Sequence, residues 1–189
     1  VRDAMMSSPG QWGEHFEHAH CTTAEFFGVR DLGQLLLTPG CTSSLAVGIG
    51  DIDLGRRRRV LTSAWEHHAM HRPLLKLAER GVTLDYVPPS DESPLDLNRV
   101  EDHLSKGDVG LVAITASANV TGDLLPFEAL IELAHRHDAQ VLLDAAQVVG
   151  WLDLNFVELG ADVIAFGGHK GLQGPWGIGG LYIADGARM

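Results

Sequence analysis

The sequence predicts an α/β domain in which a mostly parallel sheet is flanked by helices. Three observations carry this reading. Short apolar runs of strand length alternate with amphipathic stretches along most of the chain. Several runs are apolar throughout their centres, as strands covered on both faces must be. The residues with chemical potential lie just after the runs, at the strand carboxyl ends where such sheets bind ligands.

In chain order, residues 1–33 read as an N-terminal helical segment with a helix over 11–27. A strand over 34–38 leads through Pro39-Gly40 into a helix over 42–49. The strand at 60–64 precedes a helix over 66–80 that stops at Gly81, where glycine can take the left-handed conformation closing a helix. A strand follows at 83–87, and a helix over 97–106 stops at Gly107. The apolar run 110–115 is the next strand, and the helix over 126–137 opens on Pro126, whose fixed φ suits a first turn. Strands at 140–144, 162–167 and 179–183 complete the set. With no repeat, low-complexity tract or linker, residues 34–189 form one domain.

The 189 residues suffice for a hydrophobic core, and their formal charge of −11 argues against nucleic acid or an anionic membrane as partner. The basic run Arg56–Arg59 sits between a glycine and an apolar segment and reads as a solvated turn. Cys21 and Cys41 are too few for a disulfide framework and point to a reducing compartment. No apolar run reaches the roughly 18 residues of a membrane span, and the N-terminus lacks a signal layout. The expectation is therefore a cytoplasmic protein. Val1 at the start and a stop just after a strand lead us to expect a fragment.

Five segments carry candidate chemistry, each with an ordinary alternative. Lys170 closes a buried strand within Phe166-Gly167-Gly168-His169-Lys170-Gly171, where glycines let a ligand approach the backbone; alone, it would read as a surface lysine. Asp144 ends the strand Val141-Leu142-Leu143 and can pair with a cationic ring nitrogen or cap the turn into Ala145-Ala146, and Gln147 can reach the same space. The turn Thr38–Ser44 offers N–H groups and hydroxyls to a phosphate, against plain capping by Thr42 or Ser43. In Trp65-Glu66-His67-His68-Ala69-Met70-His71, a histidine could stack on an aromatic cofactor. His67 and His71 share a helical face, but no companion ligands complete a metal set. Asn119, in Ala118-Asn119-Val120-Thr121-Gly122, could bond a cofactor or belong to a plain loop. No Gly-x-Gly-x-x-Gly follows the first strand and no Gly-x-Ser-x-Gly elbow occurs, which disfavours a nicotinamide enzyme and a hydrolase.

Together these segments resemble the class V aminotransferase family, which uses pyridoxal 5′-phosphate (PLP), and within it the cysteine desulfurase and selenocysteine lyase branch. The most specific part is the run from Gly168 to Tyr182, and the likeness covers residues 35–183. The resemblance implies the fold type I large domain over 34–189. It also implies the removal of sulfur from L-cysteine, with aminotransferase or epimerase chemistry, or a silent PLP-binding module, as alternatives. By it, Lys170 would carry PLP as a Schiff base and serve as acid–base, and His67 would stack on the ring. Asp144 would pair with the pyridine nitrogen and Gln147 with the phenolic oxygen, with Asn119 near that oxygen and the substrate. Cys41 (through its backbone), Thr42 and His169 would hold the phosphate. A homodimer and a sulfur-acceptor protein are implied as partners. Gly167 stands where the family usually has a phosphate-binding serine. The family's substrate-gripping arginine and its sulfur-attacking loop cysteine, both in its second half, have no counterpart here.

Overall fold

The computed structural model describes residues 9–90 and 92–189. Helix α1 (Pro9–Phe26) is followed by a 3-10 turn (Leu32–Gln34), strand β1 (Leu35–Thr38) and helix α2 (Cys41–Asp51). Then come β2 (Arg59–Ser63), α3 (His68–Glu79), β3 (Thr83–Val87), α4 (Leu97–Leu104) and β4 (Val109–Thr115). The remainder is α5 (Phe127–Arg136), β5 (Gln140–Asp144), α6 (Phe156–Leu159), β6 (Val163–Gly167) and β7 (Gly179–Ile183).

The seven strands form one sheet in the order β1-β7-β6-β5-β4-β2-β3. Strands β2, β3, β4, β5 and β6 pair in parallel, while β7 runs antiparallel to both β6 and β1. Six of the seven strands therefore end at the same rim. The predicted mostly parallel sheet is present, and its one reversed strand is β7, reached from β6 through the loop that carries Lys170.

Period-2 alternation divides the buried residues between two faces. Val112, Ile114, Leu143, Ile164 and Phe166 join one core with residues of α4, α5 and α6. Leu111, Ala113, Leu142, Val163 and Ala165 join the other with Leu45 and Ile49 of α2 and Met70 and Leu74 of α3. On the first face the Phe27 ring stacks on Phe156 at 3.9 Å and packs on Phe166 at 4.9 Å. The Phe156 N–H also donates to the Phe27 carbonyl at 2.9 Å. This cluster ties the chain that follows α1 to α6 and β6.

Several helix ends have visible local causes. Asp96 caps α4 by accepting from the N–H groups of Asn98 and Arg99, and Asn155 caps α6 in the same way. Pro126, predicted as the first helical residue, is instead the cap residue one place ahead of α5. Helix α3 begins at His68 rather than at Glu66, because His67 takes an extended conformation and caps the helix itself. Among the described residues no helix is long and apolar enough to cross a membrane.

Candidate active site

The five segments singled out in the sequence follow β1, β2, β4, β5 and β6 at the shared rim. They surround one cleft of about 350 Å³, whose lining includes Cys41, Thr42, His67, Asn119, Asp144, Gln147, His169 and Lys170. The fold thus gathers every predicted site residue from positions up to 129 apart in sequence (170 − 41).

The turn expected to seat a phosphate lies at the start of α2. Gly40, at φ 139°, holds a conformation that a side chain would resist, and no side chain caps the helix. The alternative of capping by Thr42 or Ser43 does not occur. Instead Thr38 Oγ1 accepts from Gly40 N at 3.3 Å and meets Ser44 Oγ at 2.8 Å, which braces the turn from behind. Ser43 and Ser44 N–H groups donate to the Gly40 carbonyl. The N–H groups ahead of them, on Cys41 and Thr42, are the ones left at the helix start, where the helix dipole favours an anion.

Asp144, only 4% exposed, forms the floor. Its Oδ1 accepts from Ala146 N at 3.0 Å and from the Cys41 thiol at 3.4 Å. Oδ2 is left to the cleft that the residue lines. Burial pushes the carboxyl above the usual aspartate range, while those two hydrogen bonds and the nearby charge of Lys170 pull it down. A buried carboxylate with one oxygen unpaired is unfavourable until a cationic donor meets it. Burial and Asp144 together drive the Cys41 thiol far above its ordinary value, so it stays protonated and donates.

Lys170 sits in a loop folded back on itself. Gly168 N donates to Ile178 O at 2.9 Å, Gly174 N to Gly168 O at 2.8 Å, and Gln173 N to Lys170 O at 2.9 Å. The adjacent Gly171 has no room for a methyl group: a Cβ there would lie 2.4 Å from Val149 O and 2.7 Å from the Trp151 ring. The glycines around the lysine are thus required by close backbone packing. His169 stacks on Trp176 with centroids 4.4 Å apart.

His67 accepts from Ala69 N at its Nδ1, at 3.1 Å. That bond requires an unprotonated Nδ1 and puts the ring proton on Nε2. His71 points elsewhere, against the Tyr86 ring. Asn119 is exposed on the loop after β4, at the cleft edge.

Sequence reasoning assigned no role to Glu66, Thr115 or Trp176. Glu66 lies behind the cleft wall, with Oε1 bonded to Ser63 Oγ at 2.5 Å and to Thr115 N at 3.1 Å. Its signal was an acidic residue at a strand-to-helix corner, legible only once β2 and β4 are known to be neighbours.

The cleft offers an amine, a buried carboxylate and a helix start to one small molecule. The model of the aminotransferase class-V family matches residues 1–188. A probable cysteine desulfurase of Halalkalibacterium halodurans is 33% identical over 171 residues, covering 88% of this chain and 42% of the relative. A probable cysteine desulfurase of Chlamydia trachomatis is 39% identical over 153 residues, covering 79% and 37% respectively. Among solved structures, the apo cysteine desulfurase of Thermococcus onnurineus superposes with a TM-score of 0.82 at 31% identity, covering 95% of this chain and 45% of that one. A C-DES variant with glycine covalently linked to its PLP cofactor superposes with a TM-score of 0.82 at 27% identity, covering 97% and 50%. The chain spans less than half the length of both curated relatives. With its sheet, its cleft and the family match in agreement, the chain belongs to the class-V aminotransferase family.

Proposed function

We propose that the chain forms the cofactor-holding part of a PLP-dependent enzyme of the cysteine desulfurase type, acting on an amino acid. In this reading residues 34–189 are the large domain and residues 1–33 an N-terminal segment, of which 1–8 lie outside the described residues. The observation that carries it is the convergence of Lys170, Asp144 and the start of α2 on one cleft. PLP presents three matching groups: an aldehyde for an amine, a ring nitrogen for a carboxylate and a phosphate for an anion seat. The descriptions of the relatives as cysteine desulfurases support the same choice.

When bound, PLP supplies an electron sink for negative charge at the substrate α-carbon. Lys170 Nζ would hold the cofactor and would be the group placed to move the α-proton of a substrate. Asp144 Oδ2 would keep a proton on the ring nitrogen, Gln147 would donate to the phenolic oxygen, and the His67 ring would lie against the heterocycle. The Cys41 and Thr42 N–H groups and His169 would hold the phosphate, and Asn119 would face the substrate. Cys41, protonated and bonded to Asp144, takes no part in sulfur transfer.

A homodimer fits the surface. Trp176 is 85% exposed at the cleft and Val120 is 86% exposed beside Asn119, and a second subunit packed there would cover both. A sulfur-acceptor protein and a cytoplasmic location complete the proposal. The test is product analysis of the PLP-loaded protein with L-cysteine and a thiol reductant. With the protein joined to a family second half that supplies the arginine and the loop cysteine, alanine and sulfide in equal amounts are expected; pyruvate and ammonia in their place would refute the desulfurase reading.

A further inference from the structure

The corner between β2 and α3 hides an acid that the cofactor chemistry does not use. The β2–β4 ladder ends at the pair Thr62 and Ala113. Two residues beyond it, the Thr115 N–H is taken by Glu66 Oε1, which also accepts from Ser63 Oγ. The carboxyl thus replaces the missing ladder and ties the ends of β2 and β4 just behind the cleft. Its other oxygen, Oε2, is buried without a hydrogen-bond partner. A buried anionic oxygen with no donor is far costlier than a hydroxyl with no acceptor, so the site favours the acid form.

We propose that Glu66 is a positioning residue of the PLP site, a neutral acid that clamps β2 to β4 and thereby fixes the corner from which His67 enters the cleft. The proposal rests on the PLP reading given above. Two contacts link the clamp to the site: Thr115 lines the cleft and is paired with Asp144 across β4 and β5, and His67 follows Glu66 directly. The groups facing the carboxyl are Ser63 from β2, Thr115 from β4 and Asp144 from β5. Burial chiefly, with a contribution from Asp144, pushes Glu66 up to about 8, against the pull of its hydrogen bonds. Below that value the acid form holds the clamp. Above it, an unpaired buried anion forms, which draws in water and loosens the corner.

Two measurements on Glu66→Gln and Glu66→Ala decide the matter. In ligand-free protein at pH 7, infrared difference spectra between wild type and Glu66→Gln should contain the carbonyl stretch of a protonated carboxylic acid. That band should vanish as pH rises through about 8; its absence at pH 7 overturns the proposal. With PLP, wild-type affinity should fall severalfold between pH 7 and pH 9. Glu66→Gln should match wild type at pH 7 and lose that fall, and Glu66→Ala should bind at least tenfold more weakly at both. An alkaline fall retained in Glu66→Gln, or wild-type affinity in Glu66→Ala at pH 7, overturns the clamp. Should wild type bind no PLP, the cofactor reading fails, while the infrared band still reports on the acid.

Discussion

Replacing Gly167 with serine adds one hydroxyl to the proposed phosphate site, at the place where the family resemblance implies one. Gly167 ends β6 and lines the cleft. A Cβ built there would lie 3.6 Å from His169 Cε1 and 3.7 Å from Cys41 Cβ, which is ordinary van der Waals distance. The substitution therefore enters without strain, pointing between two residues assigned to the phosphate. A hydrogen bond to a charged group contributes about 1.5–3 kcal/mol, and roughly 1.4 kcal/mol is tenfold in affinity. Gly167→Ser should tighten PLP binding roughly tenfold to a hundredfold. Titration of ligand-free protein with PLP, followed by the rise of the cofactor's absorption band on binding, measures the constant. Gly167→Ala is the control, since it adds the methyl without the hydroxyl and should leave affinity within about twofold. Equal or weaker binding by Gly167→Ser, or equal tightening by Gly167→Ala, refutes the placement of the phosphate.

Two further outcomes follow from burial. Asp144→Asn should act in opposite directions on the empty and loaded protein. It removes a buried carboxylate whose folded value is raised, a group whose contribution to stability is lost as pH rises. Ligand-free Asp144→Asn should therefore melt higher than wild type at pH 7 by scanning calorimetry, yet bind PLP at least tenfold more weakly; a lower melting point contradicts the account. Phe156→Ala should cost about 3–5 kcal/mol in urea unfolding, because the ring is fully buried and stacked on Phe27. A loss below about 1 kcal/mol would mean that the phenylalanine cluster does not join α1 to the sheet.

Much of the fold was legible because its strands are short and apolar. All seven lie within a residue or two of their predicted ranges, and five helices were placed with similar accuracy. Strand direction was less accessible. Nothing in Gly179-Gly180-Leu181-Tyr182 distinguishes an antiparallel β7 from a parallel one, since direction is set by the path of the preceding loop. The four-residue α6 has too few turns to show a period. The start of α3 was misplaced by two residues because His67 caps with a ring nitrogen, a rarer device than a hydroxyl or carboxylate. The site residues were legible for a different reason: each follows a strand, and the sheet carries strand ends to one rim. Glu66 escaped notice because its partners, Ser63 and Thr115, meet it only through the pairing of β2 with β4.

The central claim is that one amine, on Lys170, holds the cofactor at this rim. Borohydride reduction of the PLP-loaded protein, followed by proteolysis and mass spectrometry, locates that bond. The account predicts the label on the peptide containing Lys170 and its disappearance in Lys170→Ala. A label on Lys76 or Lys106, the other lysines of the sequence, or its persistence in Lys170→Ala, would contradict it.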